Sequence, residues 1–485
     1  MKAKDVLDTV SVQSSTLSLE AEVAGLSIDS RKCRKGDLFF ARKGYKMNGE
    51  EFVPDAIEAG CTGVVAKRDF TGIPTVVVDD VREALAISSL NFYNHPDTSI
   101  EIIGITGTNG KTTTAWFLQH ILHSQGLCGL LSTVENFDGK ARKPAVLTTE
   151  EAHDICASLS KMRENGCKRA VMEVSAHSIS LKRVFGLNFK VGVFTNLSQD
   201  HLDFYGDMER YFEAKSRFFE NLGPDACAVI NIDDPAGERL LDRVRCRTIT
   251  VSPAGRNADI RVMGTRSGPV GVIVLLNAEG KEREVVLPLP GLHNAANLAS
   301  SAGVLLALRM DPFSSLSLLA SMPPIPGRME AIPSSDGVRY LVDFAHTPDG
   351  LEKVLGSPDI HENGRVICVF GCGGDRDRGK RPLMMRAVCE NADVVIATSD
   401  NPRTEGQKQI FEDMAAGEST GSHVFYIEDR IQAIKAAIRE ARTGDVVIVA
   451  GKGHEPYQLI GNRKIPFSDA EEIRRALKEA GRESQ

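Results

Sequence analysis

The sequence predicts an α/β protein of three domains, a small N-terminal one followed by two built on parallel-type sheets, and three observations carry that prediction. The chain has 485 residues, enough for about three domains at ~150 residues each and too many for one compact core. Short apolar runs repeatedly end in polar, glycine-bearing or acidic residues. Turn-rich breaks fall at Asn94-His95-Pro96-Asp97 and at the proline-rich MPPIPGR of 322–328, which divides the chain into 1–98, 99–327 and 328–485.

The N-terminal region, 1–98, contains the strand-like segments VVA and PTVVVDD and the loop ARKGYKMNGEEF. In the central region IEIIGI precedes TGTNGKTT, AVM precedes EVSAH, VGVF precedes TNLSQDHLD, and ACAVI precedes NIDDP. The last region repeats the pattern in YLVDFAHTPDG, VICVFGCGGDRDRGKRP, VVIATSDNPR and DVVIVAGKGHEP, a Rossmann-like layout. Apolar runs of this length suit strands buried on both faces, as in a parallel sheet covered by helices. Such sheets bind ligands beyond the carboxyl ends of their strands, where loops and helix N-termini converge. Any one of these segments reads as an ordinary strand-to-helix turn; eight together do not.

Composition narrows the function. The chain is 42% apolar and 25% charged, which excludes disorder, collagen and coiled coil. Its 58 Lys+Arg against 65 Asp+Glu give a net charge of −7, without the basic surplus of a nucleic-acid binder. The ten cysteines lie scattered from Cys33 to Cys389 with no CxxC spacing and read as reduced thiols of a cytoplasmic protein. The start lacks the continuous apolar core of a signal peptide. No apolar run approaches the ~20 residues of a membrane span, so membrane insertion is not expected.

The clearest chemistry lies in Gly107-Thr108-Asn109-Gly110-Lys111-Thr112-Thr113, between a strand-like run and a helical pattern. Glycines let backbone N–H groups curl around phosphate oxygens, and the helix N-terminus adds free donors and a favourable dipole. Lys111 would neutralise the β/γ-phosphates and Thr112 could ligate Mg²⁺. The strict P-loop pattern is missed, because five residues separate Gly104 from Gly110, but the strand–loop–helix context predicts a P-loop mononucleotide-binding sheet at the centre of the chain. Glu173 and His201 stand at strand ends and are metal candidates, since Mg²⁺ prefers oxygen ligands and keeps several waters; a histidine beside Asp200 is otherwise structural or solvent-facing. Lys215 lies in RYFEAKSRFFENL, an amphipathic helix with Tyr211, Phe212, Phe218 and Phe219 apolar, where a lysine ordinarily occupies a solvated face. In the last region Arg376 with Asp375 and Asp377, the quartet Asp400-Asn401-Pro402-Arg403, and Gly451-Lys452-Gly453-His454-Glu455 offer arginines for carboxylates and acids for ammonium groups. Arg grips a carboxylate through a planar fork, which suits an amino-acid substrate.

Together these motifs resemble the Mur ligase family of ATP-dependent peptide-bond-forming enzymes. The likeness runs the length of the chain through DSRKCRKGDLFFA, TGTNGKTTT, LTTE, MEVSAHS, TNLSQDHLDFYG, AKSRFF, GLHNAANLAS, PGRMEAI, DFAHTPDGL, GCGGDRDRGKRP, SDNPRTE and GKGHE. DNPR is similar to the signature of members that add meso-diaminopimelate rather than lysine. Diaminopimelate carries a second carboxylate at its far end, which Arg403 would match; lysine's lone ammonium it would repel. The resemblance implies a cytoplasmic, monomeric ligase of peptidoglycan precursor synthesis. It would add meso-diaminopimelate to the D-glutamate side-chain carboxylate of UDP-N-acetylmuramoyl-L-alanyl-D-glutamate through an acyl phosphate, with ATP as co-substrate and Mg²⁺. Gly107 to Thr113 would hold ATP with Asn297, Arg328 and Asp343, and Asn294 nearby. Thr112, Glu173 and His201 would hold metal, and Lys111, Glu173, His201 and Lys215 would be catalytic. Lys215 matches a lysine that takes up CO₂ as a carbamate and so becomes an anionic metal ligand. Ser30, Thr148, Thr149, Ser175 and Arg183 would bind the UDP-sugar peptide, with Tyr45 and Lys46 in the corresponding loop. The family's glutamine two residues before Arg183 is Leu181 here. Arg376, Asp400, Asn401, Pro402, Arg403, Gly451 and Glu455 would bind diaminopimelate. The competing readings are a ligase for lysine or another amino acid, a folylpolyglutamate synthetase relative, and a non-catalytic nucleotide switch, which would need the loop but neither Lys215 nor an amino-acid pocket.

Overall fold

In the computed structural model, which describes residues 1–44, 47–268, 271–362 and 364–484, all eight apolar runs form strands. The chain is organised in two compact units. The first comprises Met1–Thr106, Leu122–Gly192 and Arg217–Ala226, the second Gly107–Ile121, Val193–Ser216 and Cys227–Gln485.

The first unit begins with five strands, β1 (Val12–Ser15), β2 (Gly25–Ser27), β3 (Asp37–Phe40), β4 (Gly63–Ala66) and β5 (Thr75–Val78), in the order β1-β5-β4-β3-β2. β2 to β5 are parallel and β1 closes the edge antiparallel to β5. Successive side chains point to opposite faces, and both faces are covered. Leu38, Phe40, Val65 and Val76 pack with Val6, Val81 and Leu85 on one side, while Phe39, Val64 and Ala66 pack with Val53 and Ala56 on the other. Each such large side chain stabilises the fold by about 1.5–3 kcal/mol on burial. Asp80 caps the Val81–Phe92 helix, accepting from the N–H groups of Arg82 and Glu83.

The same unit holds β6 (Glu101–Thr106), β7 (Cys128–Leu131), β8 (Glu135–Phe137), β9 (Arg142–Pro144) and β10 (Arg169–Glu173). β10 lies parallel between β6 and β7, and β8 and β9 continue antiparallel. Gly104 on β6 admits two aromatic rings: a Cβ there would stand 2.6 Å from Phe189 and 2.7 Å from Phe218. β11 (Phe189–Phe194) is the next strand along the chain.

In the second unit β12 (Cys227–Asn231), β13 (Arg247–Ser252) and β14 (Ile260–Gly268) are parallel, and β14, β15 (Gly271–Ala278) and β16 (Lys281–Leu287) are antiparallel. The expectation of a parallel-type sheet therefore needs correction here and at β8–β9. One face of β16 is solvated, its residues mostly exposed, as antiparallel but not parallel strands tolerate. The Asn294–Ala307 helix covers β12 to β15.

The rest of this unit is a six-stranded sheet of β17 (Glu330–Ile332), β18 (Arg339–Asp343), β19 (Val366–Cys372), β20 (Val394–Ser399), β21 (His423–Tyr426) and β22 (Val446–Ala450), in the order β17-β18-β22-β19-β20-β21. All but β17 are parallel. The Arg430–Glu440 and Asp469–Glu479 helices pack on one face through Ile434, Ile438, Ile473 and Leu477. A hairpin of β23 (Tyr457–Ile460) and β24 (Arg463–Pro466) follows β22. The arrangement is doubly wound, and the loops after β18, β19, β20 and β22 leave from the carboxyl ends where such sheets bind ligands. Among the described residues no helix is long and apolar enough to cross a membrane.

Candidate active site

The glycine-rich loop opens the Lys111–Ser124 helix. Gly107 has φ +146° and Gly110 φ +85°; a Cβ on Gly107 would fall 1.9 Å from Thr195 Oγ1 and one on Gly110 2.4 Å from Asn297 Oδ1. Only glycine fits that curvature beside those neighbours. Thr195 Oγ1 donates to Asn109 O at 2.7 Å, and Asn109 N–H donates to Asn196 Oδ1 at 2.9 Å. Lys111 Nζ curls over the loop and donates to Gly107 O at 3.0 Å and Thr108 O at 2.7 Å. Thr113, in the first turn of that helix, is buried. Asn297 donates to Asn294 Oδ1 at 2.9 Å and accepts from Thr114 Oγ1 at 3.3 Å, so this buried pair braces the loop from behind. Arg328 Nη2 donates to Thr112 Oγ1 at 2.9 Å, its guanidinium 4.6 Å from the Phe344 ring centroid. Asp343 ends β18 and accepts from the N–H groups of Met329 and Ala345, both at 2.8 Å.

Lys215 overturns the solvated-face expectation. It sits on the Met208–Glu220 helix and is 1% exposed. Its Nζ donates to Gly107 O at 2.8 Å and lies 4.6 Å from the Tyr211 ring centroid. Burial pushes its pKa well below the ordinary lysine value, and the Lys111 charge adds to the effect against the opposing pull of Asp200. Burial thus disfavours the ammonium form of an amine anchored on the glycine-rich loop. His201 has φ +55°, a conformation that costs a non-glycine residue and concentrates at functional sites. Its Nε2 lies 3.3 Å from Asp200 Oδ2, and Lys380 Nζ lies 3.4 Å from Asp200 Oδ1. Burial alone would raise the Asp200 pKa, but the His346 hydrogen bond and the Lys380 and His201 charges hold it well below the carboxylate range.

In the first unit Glu173 ends β10 and is fully buried. Oε1 accepts from Thr133 N–H at 2.8 Å and Oε2 from Thr133 Oγ1 at 3.0 Å. A threonine hydroxyl and a carboxylate suit Mg²⁺, a hard ion that takes oxygen ligands. Among the described residues no three His, Cys, Asp or Glu are gathered as a metal site.

Four of the expected sugar-peptide residues cluster in that unit. Thr149 Oγ1 donates to Glu173 O at 2.8 Å and lies 3.2 Å from Ser175 Oγ; Arg183 Nη1 donates to Thr149 O at 2.8 Å; Thr133 Oγ1 lies 3.3 Å from Thr148 Oγ1. Ser30 opens the Ser30–Lys32 turn under an Asp29 cap, and among the described residues no hydrogen bond joins it to this cluster. Tyr45 and Lys46 lie outside the described residues. Three residues the sequence reading passed over belong here. Glu151 Oε1 receives both Arg183 at 2.9 Å and Arg42 at 3.1 Å. Burial, and next the Arg42 charge, push the nearby Arg82 guanidinium below its ordinary pKa, with Arg183 adding and Glu151 opposing. The cationic excess suits an anionic ligand. The one signal in the sequence was the second glutamate of LTTEE, which is Glu151.

The residues expected to bind diaminopimelate also come together. Asn401 Nδ2 donates to Glu455 Oε2 at 2.8 Å, and the Arg403 guanidinium donates to Gly374 O at 2.6 Å and Asn401 O at 3.4 Å. Gly373 lies against both Arg403 and Arg376, and Arg376 donates to Asp375 O at 3.0 Å. The contrast with adjoining arginines is informative. Arg381 pairs with Glu405 and Asp413 at 2.8 and 2.7 Å, and Arg378 pairs with Asp413 at 2.9 Å, whereas the hydrogen bonds of Arg403 and Arg376 go to carbonyls. Burial, then the Arg376 charge, push the Arg403 pKa below its ordinary value. Among the described residues the hydrogen bonds of these two adjacent guanidiniums go to carbonyls, although the charges of Asp400, Glu455 and Asp375 act on Arg403; such a pair suits an incoming carboxylate. Gly451 follows β22 with φ +108° beside Asp400, and Pro402 O and Arg403 O take part in the turn and the pairing with the hairpin.

Three family models match: the Mur ligase catalytic domain over residues 22–93, the Mur ligase middle domain over 105–305, and the Mur ligase glutamate ligase domain over 327–453. A UDP-N-acetylmuramoyl-L-alanyl-D-glutamate–2,6-diaminopimelate ligase of Gloeobacter violaceus is 42% identical over 467 residues, 94% of each chain. The chain belongs to the Mur ligase family. A Clostridium tetani ligase of the same name is 37% identical over 99% of this chain and the whole of that protein. Among solved Mur ligases, one of that name matches with a TM-score of 0.68 at 32% identity, covering 99% of both chains. A Mycobacterium tuberculosis folylpolyglutamate synthase matches with a TM-score of 0.62 at 19% identity over 76% of this chain and 92% of that one, a likeness of fold alone.

Proposed function

We propose that this Mur ligase joins meso-diaminopimelate to the side-chain carboxylate of the D-glutamate in UDP-N-acetylmuramoyl-L-alanyl-D-glutamate, converting ATP to ADP and phosphate, as a cytoplasmic step of peptidoglycan precursor synthesis. The observation that carries the choice of amino acid is the Arg403–Arg376 pair, whose hydrogen bonds stop at carbonyls while their neighbours are neutralised. The ten free cysteines suit a reducing compartment. The chain divides functionally at 98/99 and 327/328, near the limits of the matched family domains.

A carboxylate is a poor acylating group, since its leaving group would be oxide. Transfer of the γ-phosphoryl group of ATP to the D-glutamate carboxylate gives an acyl phosphate with a better leaving group. Phosphoryl transfer needs charge neutralisation and alignment. The N–H groups of Gly107 to Thr113 orient the phosphates, Lys111 neutralises them, and Arg328 and Asp343 hold the nucleotide. Thr112, Glu173, His201 and a carbamate on Lys215 are the residues we assign to Mg²⁺, which supplies charge neutralisation at the transferring phosphoryl group. Burial favours the uncharged Lys215 amine, which would attack CO₂ through its nitrogen lone pair, forming a C–N bond and releasing one proton; the carbamate would offer anionic oxygens to the metal. Thr148, Thr149, Ser175, Arg183 and Ser30 bind the sugar-peptide, with Tyr45 and Lys46 in the same role. Arg376 and Arg403 grip a carboxylate of diaminopimelate, Asp400 and Glu455 receive its ammonium, and Asn401 contributes to the site by holding Glu455. Its free amine then attacks the acyl carbon, forming the amide and expelling phosphate. The test is phosphate release from ATP: it should require both the sugar-peptide and diaminopimelate, and release with either one omitted would refute the assignment.

A further inference from the structure

Lys452 is a fully buried cation for which that mechanism has no use. It follows β22 in the Gly451–Glu455 turn and is 0% exposed. Its Nζ donates to Glu455 Oε2 at 2.8 Å and to Asn401 Oδ1 at 3.1 Å. Asn401 Nδ2 donates to the same Glu455 oxygen at 2.8 Å, and Asn401 Oδ1 also accepts from Leu459 N–H at 2.8 Å. Three side chains therefore close a ring. Turning the Asn401 amide over would set its NH₂ against an ammonium and a backbone donor, so its orientation is fixed. Oε2 of Glu455 receives two donors, which directs the other carboxylate oxygen away from the ring, and this side chain keeps 23% of its surface exposed. Lys452 itself has no exposed surface.

We propose that Lys452 is a positioning residue for the amino-acid substrate: it locks Asn401 and Glu455 so that Glu455 presents a single carboxylate oxygen to the substrate's ammonium. This rests on the reading of the Asp400–Arg403 and Gly451–Glu455 loops as the amino-acid site. A buried ammonium is tolerated only beside a counter-charge, and here its counter-charge is the group the substrate needs.

The test is a double-mutant cycle with Lys452→Met and Glu455→Gln, reading the KM for each of the three substrates and kcat. Lys452→Met should raise the KM for diaminopimelate roughly 30-fold or more and leave the KM for ATP and for the sugar-peptide within about two-fold. Added to Glu455→Gln, it should cause little further loss, because it acts through that carboxylate. Should Lys452→Met fail to fold, Lys452→Gln, which keeps a donor toward Asn401 but no charge, enters the same cycle. An unchanged KM for diaminopimelate, independent effects of the two substitutions, or a parallel loss for all three substrates would overturn the proposal. Failure of the functional reading would look different: the wild-type protein would not use diaminopimelate at all.

Discussion

At the scale of single residues, the proposed chemistry rests on Lys215 and Arg403. Lys215→Ala is expected to abolish turnover, measured as phosphate release, while the melting profile stays that of a folded protein; added bicarbonate or a short carboxylic acid should restore part of the activity. Full activity in the variant would remove the carbamate from the account. Arg403→Lys keeps a charge but loses the two-pronged grip, and should raise the KM for diaminopimelate about 10- to 100-fold, the equivalent of ~1.5–3 kcal/mol for a hydrogen bond to a charged group. Arg403 was legible because DNPR follows an apolar run. The burial of Lys215 was legible in part: Tyr211, Lys215, Phe218 and Phe219 fall on one stripe at helical spacing, so the lysine occupied an apolar position. Its charge outweighed its place in the pattern. Arg42 and Arg82 could not be found that way, since they approach Glu151 only after the chain has folded.

Among the elements, the loops after β19 and β20 are braced by Arg381. This fully buried guanidinium pairs with Glu405 and Asp413 and also donates to Gly373 O at 3.1 Å. Arg381→Met should cost about 3 kcal/mol in urea unfolding, the lower end for breaking a buried pair because both carboxylates are partly exposed. The pH dependence has a definite sign. The Arg381 hydrogen bond lowers the Glu405 pKa below 4.5, and the Arg378 hydrogen bond lowers the Asp413 pKa below 3.8. Groups with depressed folded pKa values contribute stability above their ordinary values and lose it as pH falls through the folded ones. The stability gap between wild type and Arg381→Met should therefore narrow below about pH 4; a gap independent of pH would contradict this origin. The buried parallel strands were readable as apolar runs. The β15–β16 hairpin was not, because its two-residue turn is Glu279-Gly280, with φ +50° and +78°. That is the geometry of the turn usually marked by Asn-Gly or Asp-Gly, and Glu-Gly does not announce it.

For the molecule as a whole, the order of motifs from DSRKCRKGD to GKGHE made the family readable, and relatives matching 94–99% of the chain agree with it. How the motifs assemble into clusters was less accessible, since hydrogen bonds such as Asn109 to Asp349 and Asn401 to Glu455 join residues far apart in sequence. The central claim is that a pair of carbonyl-held arginines selects a diamine with a distal carboxylate. Its most direct test offers the enzyme equal concentrations of meso-diaminopimelate and L-lysine with ATP and the UDP-sugar dipeptide, and reads the product by mass spectrometry. The account predicts that nearly all product carries diaminopimelate; a product carrying mainly lysine would contradict it.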